Sequence, residues 1–172
     1  MINELKLAIA KSRIARLKSS SSHEFALPVR SALLVLESHN LSKLPILLKM
    51  KQELGIKDTN FKVVLFKNKQ ENFSEFDGLT FVKEDLNVIG SFSNKELLDL
   101  SKNRIDLLIT FAEENNVPIN LLATICSACL KVGNSPGNEK VLDVVIRSGD
   151  DAGVFASEVI KILKQFKRNW NE

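Results

Sequence analysis

The chain is poor in the residues from which recognisable sites are usually built. Its 172 residues include two cysteines, two histidines, seven glycines and four prolines. Two cysteines are too few for a disulfide framework, and no secretory signal is apparent, so a reducing, cytoplasmic setting is expected. No apolar run approaches the roughly 18 to 20 residues of a membrane helix; residues 31–36, among the longest, are strand-sized. No G-x-G-x-x-G or G-x-x-x-x-G-K-[ST] pattern occurs, and Gly133-Asn-Ser-Pro-Gly137, which has the G-x-S-x-G spacing, reads as turn chemistry ahead of a strand rather than a helix. That removes the dinucleotide fingerprint and the phosphate-binding loop, and leaves no strand-to-helix nucleophile elbow. No internal repeat is visible either. What remains is a chain that is 44% hydrophobic and 26% charged, the balance of one soluble globular domain. At this length folding hides roughly two-thirds of the unfolded chain's surface, so a core can form without metal or disulfide support.

The net charge of +3 is unevenly placed. Residues 1–22 hold Lys6, Lys11, Arg13, Arg16 and Lys18 against the single acid Glu4, which leaves the rest close to neutral. This basic arm ends in serines 19–22, a linker composition. It reads as helical, with Ile2, Leu5 and Ile9 in one row and Leu7, Ala10, Ile14 and Leu17 in another. The two rows lie on adjacent faces, so the apolar stripe is wide. Such an arm can pack on its own domain or a second copy, or present its cations to RNA or an anionic membrane surface. Its Arg- and Ser-rich look also resembles a mitochondrial presequence. The expected organisation is an arm over 1–22 and one domain over 23–172.

Beyond the arm, continuous apolar runs alternate with helical periodicity. Strands are expected at 31–36, 61–66, 79–82, 105–111, 130–132 and 141–146. Helices are expected from a Ser42 cap to Gly55, over 95–102, from Pro118, and after Asp150 or Asp151. The last of these buries Phe155, Val159, Ile162, Leu163 and Phe166 and turns Lys161, Lys164 and Lys167 toward solvent. Runs buried on both faces between helices predict a three-layer, Rossmann-like α/β fold with a mostly parallel sheet of five or six strands.

In such sheets ligands collect beyond the carboxyl ends of the strands. Those ends carry Glu37, Ser38, His39 and Asn40, then Lys67, Asn68 and Lys69, then Glu113, Glu114 and Asn115, and last Arg147, Ser148 and Asp150. Glu37, His39, Asn40, Lys67, Glu113 and Glu114 form the candidate ligand-binding set. His39 is suited to acid–base chemistry with Glu37 to polarise it, or is simply a loop histidine. Glu113 and Glu114 can hold a cation, cap a helix or face water. Cys126 and Cys129 are spaced as C-x-x-C, but they fall near the end of a helix, where the dipole opposes a thiolate, so buried inert thiols are expected. Too few further ligands accompany them for zinc. Neither a cofactor nor a metal is expected.

Two resemblances arise from the block that runs Ile105-Asp-Leu-Leu-Ile-Thr-Phe111, Leu121-Leu-Ala-Thr-Ile-Cys-Ser-Ala128, Leu130-Lys-Val-Gly133 and Leu142-Asp-Val-Val-Ile146. Over nearly its whole length the chain resembles a family of small uncharacterised Bacteroidota proteins, which implies a compact bacterial cytoplasmic protein. More remotely, about a hundred residues are similar to the N-terminal half of heptosyltransferase-like glycosyltransferases, which implies the same α/β architecture. Those enzymes place a Gly-Asp pair after the first strand, with the Asp as base, where this chain has Ser38-His39-Asn40. The functional expectation is a non-catalytic domain that binds protein or associates with itself. Its alternatives are an RNA- or ribosome-associated factor using Lys6, Lys11, Arg13, Arg16 and Lys18, and a small enzyme or ligand-binding protein using the strand ends.

Overall fold

A computed structural model describes residues 1–17, 25, 27–68, 76–136 and 140–169, with side chains as far as Phe166. Lys18, the serine run, Lys69 and the Lys167 side chain lie outside the described residues. Six strands form one sheet in the order β3-β2-β1-β4-β5-β6. They are β1 (Ala32–Glu37), β2 (Phe61–Lys67), β3 (Leu79–Val82), β4 (Ile105–Phe111), β5 (Ala128–Gly133) and β6 (Val144–Val145). Every neighbouring pair is parallel.

All six residues of β1 are buried, which requires cover on both faces. Successive side chains alternate between those faces, so Leu33 and Val35 enter one apolar cluster while Leu34 and Leu36 enter the other. The first cluster is roofed by α1 (Ile2–Arg16), α4 (Lys95–Lys102) and α5 (Val117–Ile125), through Ala10, Leu97, Leu100, Leu121 and Leu122. The second is roofed by α2 (Leu44–Leu47), α3 (Lys49–Glu53) and α6 (Ala152–Asn169), through Leu47, Met50, Phe155, Val159 and Leu163. This is the three-layer Rossmann-like arrangement. The arm packs on α5, with Ala10 fully buried and Leu7 and Ile14 against the cluster beneath.

Local chemistry sets the element ends. Asn94 caps α4 by accepting from Leu97 N at 3.1 Å, and Asp151 receives Val154 N at 2.9 Å at the start of α6. Each such cap is worth about 1 kcal/mol. The helix expected from Ser42 begins later. Residues 38–43 form a 3-10 turn, and α2 starts at Leu44, where Pro45 occupies a first-turn position that needs no N–H. The path ends at Gly55, whose φ of 67° suits glycine. The expected strand 141–146 shrinks to Val144–Val145. The cause is Asp143, whose carboxylate accepts Lys131 N at 2.8 Å while its own N–H reaches Lys131 O at 2.8 Å, closing the strand by side chain.

Lys131 itself is fully buried in β5, and its ammonium donates only to Thr124 O, at 3.4 Å, among the described residues. Burial pulls its pKa below the ordinary lysine value, against the opposing charges of Cys126 and Asp143. With the folded value depressed, the unfolded chain binds more protons between the two values, so stability rises with pH across that window. Lys131→Met is expected to raise stability at neutral pH by about 1 kcal/mol. The advantage should narrow toward pH 10, as read by urea unfolding across the range.

Candidate functional site

The order of strands reverses between β1 and β4, and their carboxyl ends open into the crevice where ligands collect in this architecture. Glu37 ends β1 and is only 5% exposed. Its Oε2 accepts Glu113 N and its Oε1 accepts Asn116 Nδ2, both at 2.9 Å. Asn116 in turn caps α5 by accepting Ile119 N at 3.1 Å. A carboxylate at the end of one strand therefore pins the loop that leaves its neighbour.

The next strand end is tied in the same way. Asn134 accepts Ala112 N at 2.9 Å and donates to Gly149 O at 3.0 Å, while the Ser135 hydroxyl donates to Ala112 O. Gly133 lies so close to β4 that a Cβ would meet Thr110 Oγ1 at 2.2 Å. Together these loops wall a cleft of about 320 Å³, lined by His39, Asn40, Glu113, Glu114, Asn134 and Asp150 among others. His39 Nε2 lies 3.6 Å from Glu113 Oε1, and both side chains are solvent-exposed, a pair of little energetic weight. Lys43 donates to Asn40 Oδ1 at 2.9 Å and pairs with Asp150. The hydrogen bond that Lys43 donates to Asp150 first, and the Lys43 charge second, hold the Asp150 carboxyl below its usual range.

Of the residues chosen from sequence, His39, Asn40, Glu113 and Glu114 line the cleft, and Glu37 supports it from within. Lys67, half-buried at the end of β2, does not line it. Asn116, Asn134 and Lys43 were not anticipated as site residues. Asn116 had a legible signal, an asparagine just before a proline-started helix; Asn134 lay in a segment whose glycines and proline read as a turn. A larger cavity of about 610 Å³ opens near the amino ends of β2 and β3, away from this crevice. No group of three or more metal-ligating side chains is found among the described residues.

Cys126 is the residue that closes α5, and Cys129 lies in β5; both thiols are free and buried. Burial pushes the Cys126 thiol up to about 12, with the Lys131 charge acting the other way. It is therefore protonated at neutral pH and a poor nucleophile.

A second surface is built by α1 and the turn between β3 and α4. Gly90, with φ of 69°, abuts Ile9, and its carbonyl accepts Arg13 Nη1 at 2.9 Å. Asn87 Oδ1 accepts both Ile89 N at 3.1 Å and Ser91 N at 2.9 Å, and Asn87 N–H reaches Ser91 O at 2.8 Å. This tightly bonded turn lifts Val88 and Ile89 into solvent at 60% and 72% exposure. On the neighbouring side of α1, Ile2 and Leu5 are 69% and 58% exposed. Lys6 and Arg13 are half-buried, whereas Lys11 and Arg16 are exposed.

Glu37→Gln places an amide donor against a donor and is expected to cost about 1 to 3 kcal/mol. Faster amide exchange should appear at Glu113, next to the lost bond, before it appears in β4. Cys126 should resist alkylation in the native state at pH 8 and react fully in denaturant. Its raised value makes its stabilising contribution complete below about pH 9 and lost as pH climbs toward 12, so Cys126→Ala should flatten that alkaline decline in urea midpoints.

The curated proteins contain no match to this chain. A family profile covers residues 5–166, from the first turn of α1 to the last described side chain of α6. The chain therefore belongs to the family of unknown function DUF6913.

Proposed function

We propose that the chain is a non-catalytic binding domain that docks a protein partner through the face formed by α1 and residues 87–91. The observation that carries this reading is the Val88-Ile89 turn. Two β-branched side chains are held out in water by a set of backbone and Asn87 hydrogen bonds, and Arg13 secures the same turn to α1. Scattered exposed apolar residues are ordinary, but apolar side chains grouped beside one another mark an interaction surface. Ile2 and Leu5 lie in the row that Ile9 extends toward Gly90, so the turn and the helix contribute to one surface.

The cleft supports the non-catalytic half of the reading. Glu37 and Asn134 have their polar atoms engaged in fixing loops, and Lys43 is committed to Asn40 and Asp150. The glycosyltransferase pattern would set its base after β1, whereas this chain places buried Ser38 and Asn40 there beside His39. An RNA-binding role for the arm has less support. Among the described residues, the exposed apolar side chains beside its cations are aliphatic and offer no ring on which a base could stack.

The reading is tested by paired substitutions on the exposed turn. Val88→Asp and Ile89→Asp should leave thermal stability within about 0.5 kcal/mol of the parent, since both side chains are already in water. Each should lower binding of the 1-anilinonaphthalene-8-sulfonate probe to the native chain. Unchanged dye binding in both variants would mean that these side chains form no apolar surface with α1.

A further inference from the structure

We infer that the occupant of this face is an acidic amphipathic segment of another protein, an inference that rests on the docking reading above. Ile2, Lys6, Ile9, Arg13 and Arg16 recur at spacings of 4, 3, 4 and 3, so they run along one side of α1. Apolar residues hold the amino-terminal half of that stripe and cations the carboxyl-terminal half, with Lys6 set between Ile2 and Ile9. The turn bearing Val88 and Ile89 meets this side at Ile9 and Arg13.

The described residues supply this charge with no carboxylate partner. Among the described residues no carboxylate lies within ion-pair distance of Lys6, Lys11, Arg13 or Arg16, and Glu4 pairs instead with the amino terminus at 3.8 Å. A neutral apolar partner would leave Lys6, Arg13 and Arg16 facing it without a carboxylate. A second copy using the same face would set cation against cation. RNA would take the cations and leave Ile2, Leu5, Val88 and Ile89 without partners. A bilayer favours aromatic side chains at its interface, which the exposed residues of this face lack, and it has no reason to prefer apolar and basic residues in linear sequence. A peptide segment with apolar anchors followed by Asp or Glu satisfies both halves in order, as an amphipathic helix laid along a surface does.

The test uses the full chain as bait for a phage-displayed library of random peptides, with one enriched peptide synthesised in parent form and with its acids changed to amides. Vesicles of phosphatidylglycerol and phosphatidylcholine, and polyuridylic acid, serve as separate probes. The expected result is enrichment of peptides that combine aliphatic residues with Asp or Glu, with affinity falling as salt rises. Ile89→Asp should weaken the parent peptide about tenfold or more, and so should the pair Lys6→Glu with Arg16→Glu; the amide peptide should be insensitive to that charge reversal. Peptides that depend on Ile89 but carry no acids, and ignore the charge reversal, would overturn the acidic segment while leaving the docking face standing. Vesicles or polyuridylic acid retained through Ile89, Lys6 and Arg16, with no peptide enriched, would also overturn it. Self-association that depends on the same residues would do the same. Binding of any probe indifferent to Ile89→Asp and Val88→Asp would remove the docking face as well.

Discussion

A strand with every side chain buried cannot lie at a surface, and β1 is such a strand. The rest of the architecture answers that constraint. Its even and odd residues need separate apolar covers, and each cover must be a helical layer because parallel neighbours are joined by crossovers rather than hairpins. One cover is completed by α6 after the last strand. The other depends on α1, the first element of the chain, which reaches α5 and buries Ala10 there. Helix α1 is thus part of the wall of the domain, and it carries Lys6, Lys11, Arg13 and Arg16.

The same burial governs the strand ends. Chains leaving β1, β4 and β5 emerge side by side with backbone N–H groups that the ladder no longer pairs, and buried N–H groups need acceptors. Glu37 and Asn134 supply them, to Glu113 and Ala112 respectively, and Asn116 both anchors to Glu37 and caps α5. In many α/β proteins this crevice keeps such donors for a phosphate. Here side-chain oxygens occupy them, and a carboxylate stands where an incoming phosphate would be repelled. The crevice is laced by these tethers and carries Glu113, Glu114 and Asp150 in its lining.

The layered sheet was legible in the sequence because its strands are continuous apolar runs of strand length, as at 105–111, and no competing period runs through them. The 79–82 strand was legible for the same reason. Residues 141–146 misled because apolar character cannot reveal that Asp143 will fold its carboxylate onto Lys131 N and delay the pairing to Val144. The helix start at Ser42 misled because a cap signal and Pro45 compete within four residues, and the proline prevailed. At the crevice, His39, Glu113 and Glu114 could be assigned from strand ends alone, whereas Glu37 reads as chemistry in sequence and acts as a tether in space. Nothing in composition distinguishes a carboxylate aimed at solvent from one aimed at a neighbouring loop. Lys131 was invisible for a related reason, since a lysine inside a short apolar run reads as the solvent side of a strand.

The arm's broad apolar stripe has a physical explanation once both of its rows have been located. A helix that served only its own domain would need a single row, and the one containing Leu7, Ala10 and Ile14 is the row turned onto the core. The row of Ile2, Leu5 and Ile9 is surplus to that packing. Ile9 meets Gly90, and the other two remain in water on the turns of α1 that precede it. A Cβ at position 90 would press on Ile9 at 3.0 Å and force a left-handed φ on a side-chain-bearing residue, so the junction accepts glycine and little else. Weak amphipathicity in the isolated helix is therefore the sum of two well-defined faces. One is bound internally, and the other meets residues 87–91 only at Ile9 and Arg13.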